Sequence, residues 1–155
     1  MNRKGFTLIE LLIVIIILGV MASLITGNFF TSLKKGRDTK RKADLEQIQR
    51  ALEMYYEDKK TYPTTELTFG DPLIDSVSGK IYMQKVPNDP TSGKDYEYVS
   101  TDGTDYKIFA CLENNQQMLP YLSTGSTLDC VACQDKDGNP VAECVWGVSS
   151  SNISP

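Results

Sequence analysis

Glu10 is one carboxylate at the edge of an otherwise apolar run, since the 20 residues from Leu11 to Phe30 carry no formal charge. A carboxylate near hydrocarbon costs a few kcal/mol on insertion scales, so it calls for a partner. Cutting the chain after Gly5 would supply one. The new N-terminus at Phe6 carries a positive α-amine four residues from Glu10. In a stack of identical helices that amine pairs with Glu10 of an adjoining copy, and buried ion pairs of this kind are best attested as devices that fix register.

The other reactive groups are Cys111, Cys130, Cys133 and Cys144, an even number placed after the apolar run, which favours disulfides. Three connectivities are open. The turn-rich Asp135-Lys136-Asp137-Gly138-Asn139-Pro140 favours Cys133 with Cys144, and so Cys111 with Cys130. A redox centre at Cys130-x-x-Cys133 lacks a βαβ setting, and a four-cysteine zinc site would need a second close pair. Asp135 and Asp137 before Gly138 are a fragment of a calcium loop without its further oxygen ligands or terminal Glu, and read first as a polar turn. No metal and no cofactor are expected. The chain has no histidine, the commonest general base, and no nucleophile in a recognisable motif, so no enzyme is expected.

These groups have to be positioned by two kinds of element. The apolar run is long enough for a membrane helix of roughly 20 residues. Past Phe30, Leu45, Ile48, Leu52 and Tyr55 recur at helical spacing, so the helix is expected to continue to Asp58 and pack that face on a folded head. Gly19, Gly27 and Gly36 are its weak points. Thr61-Tyr62-Pro63 ends it. A loop-rich region follows, with a short strand or helical turn at Ile81–Lys85. An antiparallel hairpin is expected from Tyr96–Val99 and Tyr106–Cys111 around Thr101-Asp102-Gly103-Thr104. Weak strand signals lie near Val131 and over Val141–Trp146, and the polar tail from Ser149 to Pro155 is expected to fray. The expected fold is α+β, a long N-terminal helix on a small antiparallel sheet with a cysteine-bearing C-terminal region. Its divisions are a leader at 1–5, a transmembrane and assembly helix at 6–30, an amphipathic continuation at 31–58 and a globular head at 59–155.

Charge is uneven. Residues 1–58 hold nine Lys/Arg and seven Asp/Glu, whereas 59–155 hold seven and thirteen, so the head is acidic and is no surface for nucleic acid. The cluster Lys34, Lys35, Arg37, Lys40, Arg41 and Lys42 outweighs Arg3 and Lys4 and would by itself place the C-terminal side in the cytoplasm. It reads as a solvated helix face, a contact to lipid head groups or a contact to acidic neighbours. An ordinary secretory signal with a cut near Val20-Met21-Ala22 has too short a core to account for this run, and a plain anchor leaves Glu10 unexplained.

Gly5-Phe6-Thr7-Leu8-Ile9-Glu10-Leu11-Leu12, after Arg3 and Lys4, resembles the type IV pilin and type II secretion pseudopilin superfamily. The resemblance implies cleavage after Gly5 by a membrane-embedded prepilin peptidase, methylation of the Phe6 amine, a cytoplasmic N-terminus with an exported head, and Phe6 and Glu10 as the assembly pair. Ala51–Tyr56, Thr61–Thr65, Val86-Pro87-Asn88-Asp89-Pro90 and Tyr96–Val99 look like the major pseudopilin of type II secretion, a likeness that reaches roughly to Leu112. The calcium loop that subgroup carries further on is not matched. The reading is a structural subunit of a type IV pilus or pilus-like filament, with the major pseudopilin of a type II secretion system as the alternative. A membrane-anchored thiol redox protein is a more distant one. The partners implied are further copies of the chain, the peptidase, an assembly platform protein and membrane lipid. A separate motor ATPase is also implied, because the chain has no Gly-rich nucleotide loop.

Overall fold

The computed structural model describes residues 5–64, 67–91, 93–115, 126–130, 132–134 and 140–150, without the side chains of 24–28, 133, 134 and 140–143. Helix α1 runs Leu8–Lys59 and is continuous through Gly19, Gly27 and Gly36. It ends where Lys60 adopts a left-handed conformation (φ 57°) and donates its amide to the Tyr56 carbonyl at 2.7 Å. Among the described residues no helix is long and apolar enough to cross a membrane. The described side chains of α1 stop at Ser23 and resume at Phe29. The chain divides into two compact units, one ending at Lys34 and the other beginning at Lys35.

The first unit is helix with an apolar surface in every direction: Leu11, Leu12, Ile13, Val14, Ile15, Ile16, Ile17 and Leu18 are all exposed. The second unit holds the core. From α1 the face of Leu45, Ile48, Ala51 and Leu52 is buried, as the helical spacing required. It packs with Tyr62, Tyr82, Tyr96, Tyr106, Ile108 and Ala110. Side chains of this size bury roughly 1.5–3 kcal/mol each in transfer free energy.

Strands β1 (Leu73–Ile74) and β2 (Ile81–Met83) pair antiparallel, so the region expected to be loop-rich contains a small hairpin, and of the two forms expected at Ile81–Lys85 it is the strand that forms, over Ile81–Met83. The expected hairpin is β3 (Glu97–Val99) with β4 (Lys107–Cys111), in the register Tyr98 opposite Ile108. Its turn is held by Asp102, whose Oδ1 accepts the Thr104 amide at 3.0 Å, and by Gly103 at φ 75°. Strands β5 (Ala132–Gln134) and β6 (Pro140–Glu143) pair with each other, while β7 (Val145–Ser149) completes the sheet β3-β4-β7. The apolar stretch at 141–146 is thus divided between two sheets.

The tail does not begin at Ser149. Ser149 and Ser150 are buried, Ser149 lies opposite Lys107 in the sheet, and its carbonyl accepts from Gln49 of α1 at 2.9 Å. Residues 151–155 lie outside the described ones. β4 is buried on both faces because Ile108 and Ala110 meet the α1 core while Phe109 packs with Cys130 and Val145.

Candidate assembly site

Gly5 and Phe6 precede the helix in non-helical backbone, and Phe6 is 83 % exposed. A side chain at Gly5 would meet nothing within 4 Å, so the fold itself makes no demand for glycine there. Thr7 is the N-cap. Its amide donates to Glu10 Oε2 at 2.8 Å, its hydroxyl donates to the same oxygen at 2.6 Å, and the Glu10 amide donates to Thr7 Oγ1 at 3.3 Å. This reciprocal arrangement is a capping box, which satisfies helix-end donors that otherwise lack partners. Thr-x-x-Glu before an apolar run is its sequence signature, so Thr7 joins Phe6 and Glu10 as a residue of this site that the sequence itself marks. The box also alters the account of Glu10, whose carboxylate has a partner within its own chain. Both hydrogen bonds reach Oε2. Oε1 accepts none among the described residues and is open to a second donor.

The basic cluster is not one solvated face. Arg41 is fully buried, with Nε and Nη2 on the two oxygens of Asp89 at 2.6 and 2.9 Å, Nη1 on Asp38 at 2.8 Å, and Nη2 also on Glu113 at 2.6 Å. Arg37 adds a forked contact to Glu113. Asp38 accepts the backbone amides of Glu113 and Asn114 at 2.9 and 2.8 Å. Burial works against the charge on Arg41, but the hydrogen bonds to Asp89, Glu113 and Asp38 outweigh it and hold the guanidinium protonated. The bond from Arg37, with further donors in Arg41 and Thr91, brings the Glu113 carboxyl down to about 2.

Beside the network, buried Asp44 accepts from the Tyr96 hydroxyl at 2.9 Å, and desolvation raises its pKa. Within the cluster, then, Arg37 and Arg41 tie α1 to the loop after Pro87 and to the end of β4. Lys34, Lys35 and Lys40 are exposed, and Lys42 stands 4.4 Å over the Trp146 ring. Asp38 and Arg41 are three apart on a helix, which a sequence can reveal. Asp89 and Glu113 are brought in by the fold and carry no local signal.

Cys111 and Cys130 form a disulfide, as expected from the turn between the other two. Cys144 is disulfide-bonded as well. The side chain of Cys133, its expected partner, and Asp135 and Asp137 lie outside the described residues. Among the described residues no group of His, Cys, Asp and Glu is placed to hold a metal.

Residues 1–26 match the family of the prokaryotic N-terminal methylation motif, and residues 28–118 match type II secretion system protein G. The chain belongs to the type II secretion system protein G family. Relatives named type II secretion system core protein G include that of Klebsiella pneumoniae, 36 % identical over 64 % of this chain and 76 % of the relative. That of Escherichia coli K12 is 35 % identical over 64 % and 73 %, and that of Pseudomonas aeruginosa 32 % over 64 % and 75 %. No solved structure matches. The protein G match takes in the Arg41 network and the β3–β4 hairpin, whereas Cys130, Cys133 and β5 to β7 lie beyond it. These relatives favour the secretion-system alternative over the pilus subunit. The cysteine-bearing segment after residue 118 lies outside the protein G match.

Proposed function

We propose that this chain is the major pseudopilin of a type II secretion system, a non-catalytic subunit that polymerises through its N-terminal helix. The match of 28–118 to protein G, directly after a methylation motif at 1–26, carries this reading. The chain enters the membrane with its N-terminus in the cytoplasm and its cysteine-bearing unit exported. A prepilin peptidase removes residues 1–5 and the Phe6 amine is methylated. Within a bilayer the hydrophobic drive between helices is small, so polar pairing and close packing select partners. Glu10, held in place by Thr7, offers Oε1 to the Phe6 amine of a neighbouring copy while Oε2 stays in the capping box. Extraction from lipid consumes energy, which a separate motor ATPase and platform protein supply.

The test is a strain lacking this gene, complemented with wild type or Glu10→Leu. Wild type should restore export of the strain's secreted enzymes, while Glu10→Leu should be inserted and trimmed after Gly5 yet restore none. Full export with Glu10→Leu, or unimpaired export in the deletion strain, would refute the proposal.

A further inference from the structure

A groove beside α1 is lined by Ala51, Met54, Tyr82 and Met83, together with Glu46, Arg50 and Glu53. Met54 is 53 % exposed, and Glu46 has no ion pair among the described residues. The groove therefore offers apolar surface with two carboxylates against one guanidinium. Glu53 accepts from the Tyr62 and Tyr106 hydroxyls.

Elsewhere on α1 the opposite combination is uncovered. Phe30 and Leu33 are exposed, and Lys34 and Lys35 beside them are exposed without an ion pair among the described residues. Arg37 and Arg41, in the turns that follow, are bound by Glu113, Asp38 and Asp89. We propose that the groove seats the Phe30–Lys35 turn of a second copy of this chain, with Lys34 and Lys35 against Glu46, an inference that rests on the filament reading above. The Phe30–Lys35 turn and the groove, built from a later stretch of α1 with Tyr82 and Met83 of β2, are different surfaces of one chain, so the contact is head-to-tail, and a head-to-tail contact that does not close gives an open helical polymer. The stagger between parallel copies is then the sequence distance from Lys34 to Glu46, well beyond the four residues that separate Phe6 from Glu10. The seat therefore joins a copy to a more distant neighbour than the amine–carboxylate pair does.

The experiment places a photo-crosslinking amino acid at Met54 in the full-length protein and irradiates assembled filaments. Covalent multimers joined to the Phe30–Lys35 segment are expected. The double change Lys34→Glu and Lys35→Glu should cut them by about tenfold, because like charges then face each other. Adding Glu46→Lys should restore them, which also shows that the reversed chain still folds and inserts. Filaments whose cross-links run to another segment, to the same chain, to lipid or to a different protein would overturn the seat and leave the filament reading standing. Failure of the wild-type chain to form filaments at all would overturn both.

Discussion

Arg41 meets three carboxylates with no contact to solvent, and the cost of disturbing it follows from what would be left behind. Removing one partner of a buried ionic group strands the others, a loss of roughly 3–5 kcal/mol. Arg41→Ala should therefore lower the unfolding free energy of the full-length protein in detergent by about that amount in a denaturant titration. A loss below ~1 kcal/mol would mean that Asp38 and Asp89 are satisfied without it. The same network sets an acid limb. Glu113 has a folded pKa of about 2, below its ordinary value, so its contribution is complete above the ordinary carboxylate range and disappears as pH falls toward 2. Glu113→Gln should flatten that limb in a series of melts against pH. Asp44 has the opposite sign: its pKa is raised by burial, so its protonation on acidification favours the folded state, and Asp44→Asn should steepen the loss at low pH.

Among the elements, the end of α1, the β3–β4 turn and the C-terminal strands are joined by a few specific contacts. The Gly103 carbonyl accepts the Tyr62 amide at 2.8 Å, and a Cβ at Gly103 would lie 2.2 Å from Thr61 Oγ1 and 3.0 Å from the Tyr62 carbonyl. Gly103→Ala should cost at least ~1–2 kcal/mol from the left-handed backbone alone, with the clash added, and a melt unchanged from wild type would contradict the docked turn. Cys111–Cys130 spans a sequence separation of 19, and Glu97 holds the same return segment through Ser126 and Thr127. Replacing both cysteines by Ser should destabilise by about 3 kcal/mol, and equal unfolding midpoints with and without reductant would contradict this.

What the sequence disclosed of these elements depended on how local the signal was. The 3.6-residue spacing of Leu45, Ile48 and Leu52 gave the buried face of α1, and Thr101-Asp102-Gly103-Thr104 between two β-favouring runs gave the hairpin. The contact of β7 with β4 left no local trace, so Ser149 read as tail although it is buried in the sheet. The basic cluster left a solvated face, a lipid contact and a contact to acidic neighbours all open because Asp89 and Glu113, which bind Arg37 and Arg41 beside the local Asp38, lie far off in the chain.

For the whole molecule, two features belong together: an apolar helical surface with no cover of its own and a C-terminal unit that satisfies its buried charges internally. Uncovered apolar surface on that scale marks a site of association, and parallel packing of copies is what the N-terminal pair would register. The capping box gives this a definite form. Among the described residues Thr7 holds Glu10 through Oε2, and in the proposed filament the amine of a neighbouring copy would take Oε1 without displacing Thr7. The most direct measurement is an electron cryo-microscopy map of the native filament at side-chain resolution. The account predicts a chain beginning at Phe6, its amine within ~3 Å of Oε1 of Glu10 in a neighbouring copy, with Thr7 still capping the helix. A map in which Glu10 faces water, or in which residues 1–5 remain attached, would contradict it.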